Sequence, residues 1–174
     1  MILFVVVVGA LAVTGSPADC TAGDGPIVVD NAHSDTFKQK WDGLNAILDG
    51  GSPSSVTLTE SELTSRADNY VKEKNTPFKE PRVCLHDGNG EGQAKISFLG
   101  LTAKVKVKGT LDLAGAHPSA KIDSMEVGNV PGWLISPAES LVNRALDSAL
   151  DDVTLDHRYA PTLKAGQADV AGTP

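Results

Sequence analysis

The chain has 174 residues, of which 41% are hydrophobic, 21% are charged and 5% are aromatic, and its formal net charge is −7. This length and composition favour one globular domain with a mostly aliphatic core and argue against wholesale disorder. The negative charge argues against a protein that binds a nucleic-acid backbone, because such proteins need basic patches.

The chain begins with an unbroken apolar run from Ile2 to Val13. This run is shorter than the roughly 20 residues that cross a bilayer, and it has the length of a signal-peptide core. Ser16-Pro17-Ala18 offers a small-x-small cleavage site, although no positively charged segment precedes the run. We therefore predict a signal peptide or membrane anchor over residues 1–18, and an extracytoplasmic domain that is tethered or secreted. The alternative is a buried amino-terminal strand or helix.

Two cysteines, Cys20 and Cys84, fit an oxidising compartment. They can pair as a disulfide or stay as two buried thiols, and the sequence leaves both readings open. No Cys-x-x-Cys motif occurs, so neither a zinc site nor a redox motif is supported.

The next segments predict a linker, a helix, a strand and a second helix. Residues 19–35 are rich in Gly, Pro, Ser, Asp and Asn, which is typical of a linker. A helix over residues 36–50 follows, capped by Ser34 or Asp35, because its apolar residues have helical spacing. Those residues are Phe37, Trp41, Leu44 and Leu48. Alternation around Val56 and Leu58 predicts a short strand, and Thr59 to Glu62 forms a capping box that begins the second helix.

From Pro81 to Gly128 the apolar residues recur with period two, which predicts an antiparallel meander with one apolar and one wet face. The alternation changes phase near Asp123-Ser124, so a β-bulge is expected there. Asp87 to Gly92 resembles the start of a calcium loop, but its twelfth position is Phe98 instead of an acid. Both flanks also alternate like strands, so we interpret the segment as a hairpin turn.

The C-terminal third predicts an amphipathic helix followed by two strands. Ser136 and Glu139 form a capping box around Pro137. The helix has a wide apolar stripe, made of Ala138, Leu141, Val142, Ala145, Leu146 and Ala149. Residues 153–170 then suggest two strands around Tyr159 and Pro161.

The sequence shows no catalytic, metal-binding or cofactor motif, and pairs of carboxylates that only the fold brings together are not visible in it. The four histidines are scattered, and no glycine-rich phosphate loop or serine-nucleophile motif occurs. We therefore predict no catalytic residues, no metal, no cofactor and no enzymatic activity. Lys104, Lys106 and Lys108 share one face of a predicted strand. That row is either a solvated face that discourages edge pairing or a surface that attracts anionic lipid headgroups.

The order of these elements resembles the LmeA-like family of bacterial extracytoplasmic phospholipid-binding proteins, and more broadly the tubular lipid-binding (TULIP-like) domains. The segments that carry the resemblance are TLTESEL and VGNVPGWLISPAESLVNRAL, and it covers residues 54–172. It implies an α+β fold in which a curved antiparallel meander wraps around a long amphipathic helix. It also implies a lipid or other apolar ligand between helix and sheet. The N-terminal apolar run separately predicts a membrane as partner.

The residues that the resemblance assigns to this apolar seam come from the meander and from the helix. They are Ile96, Phe98, Val105, Val107, Leu111, Leu113, Ile122, Leu141, Val142, Ala145 and Leu146. The alternative for this set is plain packing of helix on sheet. A second functional hypothesis is an accessory subunit of a cell-envelope or membrane protein complex, with Trp41 and Trp133 as contact anchors.

Overall fold

A computed structural model of the chain describes residues 16–98 and 100–174. In these ranges the chain forms three α-helices and seven β-strands, which confirms the α+β class. In chain order they are α1 (Asn31–Asp49), β1 (Ser54–Thr59), α2 (Glu60–Glu73), β2 (Phe78–His86), β3 (Asn89–Phe98), β4 (Leu101–Asp112), β5 (Ser119–Gly128), α3 (Ile135–Asp151), β6 (Arg158–Lys164) and β7 (Gln167–Thr173). A short 3-10 helix, Gly132–Leu134, leads into α3.

Most of the predicted signal peptide or anchor, residues 1–15, lies outside the described residues. Within the described ranges, no helix combines the length and the apolar character that a membrane crossing requires.

The strands form two antiparallel sheets. The four-stranded sheet has the order β2-β3-β4-β5, which is the predicted meander. The three-stranded sheet has the order β1-β7-β6, so the two predicted C-terminal strands pair with the first strand of the fold.

Both irregularities expected in the meander are confirmed. Lys108 pairs with Ser124 and Gly109 pairs with Ile122, so Asp123 is the extra residue of a β-bulge. Between β2 and β3 the chain turns at Asp87-Gly88, where Gly88 has a φ of +78°. Glycine adopts that left-handed conformation without a steric cost, and the hairpin interpretation of this segment is correct.

Two helix starts illustrate what local sequence can predict. The α2 capping box is present, since the Thr59 hydroxyl accepts from Glu62 N and the Glu62 carboxylate accepts from Thr59 N at 2.9 Å. In contrast, α1 begins at Asn31, earlier than predicted, and its N-cap is Asp30, which accepts from His33 N at 2.8 Å. The expected cap Ser34 is instead buried inside the helix, where its hydroxyl accepts a hydrogen bond from the Asn69 amide.

The capping box predicted for α3 is wrong. The helix begins at Ile135, and no side chain caps it. The 3-10 turn at Gly132–Leu134 already supplies helical backbone, so Ser136 lies within the first turn and not before it.

Two hydrophobic clusters form among the described residues. The first, cluster 1, lies between the four-stranded sheet and α3, and its buried members are Ile96, Ala103, Val105, Val127, Val130, Leu134, Ala138 and Val142. The second, cluster 2, lies between the three-stranded sheet and α1, and its buried members are Leu44, Leu48, Leu58, Tyr159 and Val170. Each cluster therefore belongs to one sheet and one covering helix.

Candidate functional site on the two faces of the four-stranded sheet

The strand register gives the four-stranded sheet two chemically different faces. Val105 lies between Ala94 and Val127, and Val107 lies opposite Met125. These side chains form what we call the apolar face, which packs against α3. Successive side chains of a strand point to opposite faces. Lys104 and Lys106 therefore point the other way, onto what we call the lysine face.

The part of the apolar face next to the start of α3 is closed by direct packing. Ile96 has no exposed surface, and Val105 and Val142 are 2% and 1% exposed. Val107, Leu141 and Leu146 pack around this centre and are partly buried. Most of the residues assigned to a ligand seam therefore do meet between helix and sheet, and the innermost of them contact one another.

Further along the sheet the apolar face is incompletely covered. Leu111 is 51% exposed and Ile122 is 38% exposed. Leu111 belongs to the apolar face because it alternates in step with Val105 and Val107 on β4. Ile122 belongs to it because the bulge at Asp123 shifts β5 by one residue and brings Ile122 opposite Gly109. On α3, Ala145 and Ala149 are half-buried.

One of the predicted seam residues is placed differently, and the prediction for Phe98 falls on a side chain outside the described part of the chain. Leu113 packs against cluster 2, where it forms an isolated bridge with Tyr159. Phe98 pairs through its backbone with Leu101, and its side chain lies outside the part of the chain that is described.

Residues 16–30 form a segment that we call the strap, and its first half covers part of the lysine face. Cys20 and Cys84 form a disulfide with a Cα–Cα distance of 6.0 Å, which is usual for such a bond. Beside it the Gln93 side chain, 7% exposed, accepts from Cys20 N at 3.4 Å and donates to Ala18 O at 3.2 Å. The segment predicted as a linker is thus bonded across the sheet, because its backbone polar groups find partners there.

Among the described residues, two of the three lysines are engaged in ion pairs. Lys104 Nζ lies 2.5 Å from Asp19 Oδ1, and Lys106 Nζ lies 3.9 Å from Glu91 and 4.0 Å from Glu126. The two lysine side chains are 18% and 17% exposed. The hydrogen bond and charge of Lys104 hold the pKa of Asp19 below its ordinary value of 3.8. Intramolecular pairing therefore competes with any headgroup contact at this face.

The other half of the strap is bonded to α2 through a buried carboxylate that sequence reasoning did not single out. Glu60 is 3% exposed. It accepts from Gly23 N at 2.9 and 3.1 Å and from Leu85 N at 2.6 Å. A side chain at position 23 would collide with the backbone of Gly166 and Leu85, so glycine permits this close approach.

Two serines of α2 continue the same contact. Ser61 Oγ accepts from Val28 N at 3.0 Å, and Ser65 Oγ accepts from Asp30 N at 3.1 Å. Polar residues on a helix usually face water. No sequence signal therefore distinguished these groups from an ordinary wet face.

Among the described residues, two surface clefts are lined by none of the residues assigned to the seam, although Phe78 in the second also packs against cluster 1. One, of about 230 Å³, is polar and includes Asp24, His33 and Glu60. The other, of about 460 Å³, lies between the end of α2 and the start of β2 and includes Val71 and Phe78. Among the described residues, no group of three or more His, Cys, Asp or Glu side chains is placed to hold a metal ion.

The two tryptophans have opposite environments. Trp41 is half-buried in cluster 2, where its ring lies 6.1 Å from that of Phe37 and 4.9 Å from that of Tyr159. Trp133 is 67% exposed. Trp133 is therefore available as a contact residue, whereas the Trp41 ring already packs inside the domain.

No protein-family model, no curated protein and no solved structure matches the chain. The LmeA-like resemblance accordingly stays a prediction from the sequence.

Proposed function

We propose that the protein is a non-enzymatic, extracytoplasmic domain, membrane-tethered or secreted, that binds a lipid or similar apolar molecule between α3 and the apolar face. This is the function that the LmeA-like and tubular lipid-binding resemblance implies. The observation that carries the proposal is the incomplete cover of the apolar face. Leu111 and Ile122 stay exposed on the face that packs against α3, and the apolar stripe of α3 is itself only half-buried beyond Val142.

The gradient of burial along the seam supports this location. Ala138 and Val142, in the first half of α3, are fully packed at 0% and 1% exposure. Leu146, further along the helix, is only partly buried. An acyl chain laid over Leu111 and Ile122 would remove their side chains from water, at about 0.8 kcal/mol for each methylene buried.

Two features support an extracytoplasmic location. The Cys20–Cys84 disulfide is a bond that persists mainly in oxidising compartments. The apolar run Ile2–Val13 stands directly before the strap in the sequence, as a signal peptide or anchor would. Both features agree with a domain that works outside the cytoplasm and close to a membrane.

The proposal is tested by native mass spectrometry of the protein purified from its own membranes, followed by organic extraction and lipid analysis. We expect a bound lipid at stoichiometric amount. A clean mass of the protein alone, with no extracted lipid, would refute binding in the seam.

A matched pair of substitutions tests whether the ligand binds in the seam. Leu111→Gln changes an apolar side chain of the seam that is 51% exposed, and Ile47→Gln changes one on α1 that is 48% exposed. We expect Leu111→Gln to weaken binding of a fluorescent fatty-acyl probe about fivefold, since roughly 1 kcal/mol of apolar contact is lost. Ile47→Gln should leave binding unchanged, and equal effects of the two would contradict the assignment.

Leu146→Asp is the stronger variant, because it places a charge inside the partly buried helix stripe. It should abolish probe binding in protein whose far-ultraviolet circular dichroism remains native. Retained binding in that folded variant would count against the seam.

The second candidate function is an accessory subunit of a membrane protein complex. The exposure of Trp133 favours it, because tryptophans are enriched among the residues that anchor interfaces. Partner subunits that stay bound during purification, together with a lipid-free mass, would support this function over the first.

A further inference from the structure

We infer that the end of the four-stranded sheet that carries Trp133 and Leu101 is a bilayer-facing surface, placed against the lipid headgroups where the apolar run Ile2–Val13 joins the domain. We call this surface the membrane end. The inference rests on the anchoring role proposed for Ile2–Val13, but not on lipid binding in the α3 seam.

The strand topology places the exposed groups at the same end of the sheet. β4 begins at Leu101 and β5 ends at Gly128, and the two strands are antiparallel with Lys104 opposite Gly128. The start of β4 and the residues that follow β5 are therefore at the same end of the sheet. Leu101 is 40% exposed there and Trp133 is 67% exposed.

Trp133 lies in a segment whose other apolar residues are buried. Val130 and Leu134, on either side of it, are 0% and 2% exposed and belong to cluster 1. The 3-10 turn adds a hydrogen bond from Leu134 N to Pro131 O at 2.8 Å. Since Val130 and Leu134 are anchored in cluster 1, the packing of the segment around Trp133 leaves the indole exposed.

The strap begins at this same end. The Asn129 amide donates to Ser16 Oγ at 3.4 Å, and Asp19 pairs with Lys104 near the start of β4. Only Thr14 and Gly15 separate Ser16 from the apolar run in the sequence. The most apolar segment of the chain is therefore joined to the domain beside Trp133 and Leu101.

The chemistry of the membrane end fits lipid better than a charged protein surface. The segment Gly128–Leu134 and the pair Leu101-Thr102 contain no charged residue, although 21% of the chain is charged. Tryptophan is enriched at the level of the headgroups, where its ring meets apolar surroundings and its N–H meets water. A chain of net charge −7 is repelled by anionic lipids. The uncharged segments at this end are therefore the part of the chain best suited to approach a bilayer, and the nearby charges of Lys104 and Lys95 are paired with those of Asp19 and Glu80.

The test uses the full chain, including residues 1–15, reconstituted into phosphatidylcholine vesicles with and without brominated acyl chains. Trp41→Phe leaves Trp133 as the reporter, and Trp133→Phe leaves Trp41, which is half-buried in cluster 2, as the matched control. We expect Trp133 emission to shift to the blue in vesicles, to be quenched by the brominated lipid and to become protected from aqueous iodide. Trp41 emission should show none of these changes.

The difference between the parent chain and Trp133→Phe gives the Trp133 signal without any change at Trp41, so the test does not depend on the Trp41→Phe variant folding. Trp133 emission that brominated lipid does not quench and that iodide still reaches would overturn the inference and favour a protein contact at this end. Protein that stays in solution when vesicles are sedimented would overturn it too.

The failure of this inference and that of lipid binding in the seam are distinguishable. Leu111 lies on the apolar face and not at the membrane end, so Leu111→Gln should leave the quenching of Trp133 unchanged. Quenched Trp133 without any extracted lipid supports the membrane end and refutes the seam. Extracted lipid together with unquenched Trp133 supports lipid binding in the seam and refutes the membrane end.

Discussion

At the scale of single residues, the most informative side chain is a buried carboxylate that joins three segments of the fold. Glu60 is 3% exposed and receives three hydrogen bonds from the backbone amides of Gly23 and Leu85. A carboxylate has only acceptors, so it satisfies several N–H donors at once. This residue connects the strap, α2 and β2.

Glu60→Gln should destabilise the fold, because the amide brings an NH₂ donor against N–H donors and the charge-assisted hydrogen bonds are lost. We expect the free energy of unfolding in urea to fall by about 1–3 kcal/mol. Glu80→Gln is the control, since that side chain is 69% exposed and its ion pair with Lys95 lies on the surface. A Glu60→Gln loss no larger than that of the control would contradict the role given to Glu60.

Asp19 makes a pH-dependent contribution. Its pKa is lowered from 3.8 chiefly by the hydrogen bond from Lys104, so its folded-state pKa is below its unfolded-state pKa. The stability that this pair adds is therefore fully present above pH 3.8 and is lost as the pH falls through the lowered pKa. Asp19→Asn should be less stable than the parent at neutral pH and indistinguishable from it below that pKa. A difference that persists unchanged in acid would show another cause.

At the scale of elements, the strap is the segment that sequence reasoning described least well. Its Gly, Pro, Ser and Asp content resembles a linker, yet one disulfide and several backbone hydrogen bonds attach it to the lysine face and to α2. The sheet, by contrast, followed its pattern closely. The phase change in β5 predicted the bulge at Asp123, because a period-two pattern can change phase on one face only where a residue is added.

Removal of the disulfide should therefore weaken the whole attachment. Cys20 and Cys84 are 64 residues apart, and a crosslink of that span restricts the unfolded chain. The variant Cys20→Ala/Cys84→Ala should unfold with a free energy about 2–5 kcal/mol lower than the parent. The parent treated with reductant should match it. If reduction leaves the unfolding midpoint in urea unchanged, the strap is held by its hydrogen bonds alone.

At the scale of the whole molecule, backbone hydrogen bonds join the two sheets. Gly88 N donates to Leu163 O at 3.1 Å, and Gly166 N donates to Leu85 O at 3.2 Å. Tyr159 N donates to Leu113 O at 3.1 Å, which also explains why Leu113 packs against cluster 2 and not in the seam. The two clusters are thus covered by different helices, but the sheets that they pack against are joined by backbone hydrogen bonds near the ends of their strands.

We predict from these bonds that both halves unfold together. In Trp133→Phe the fluorescence of Trp41 reports on cluster 2, and far-ultraviolet circular dichroism reports on all helices and strands. The two urea transitions should coincide, as they do in two-state unfolding of small domains. A separate, earlier transition of the Trp41 signal would show that the three-stranded sheet and α1 unfold independently.

The sequence by itself determined what depends on neighbours along the chain. The period-two rows defined the meander and its two faces, Thr59 and Glu62 capped α2, and Asp87-Gly88 formed the turn. Only the tertiary structure decided what depends on distant partners: that Glu60 is buried under the strap, that Lys104 pairs with Asp19, and that Leu111 stays exposed. Local patterns state which face of an element is apolar, whereas the extent to which another element covers that face depends on packing between residues far apart in the chain.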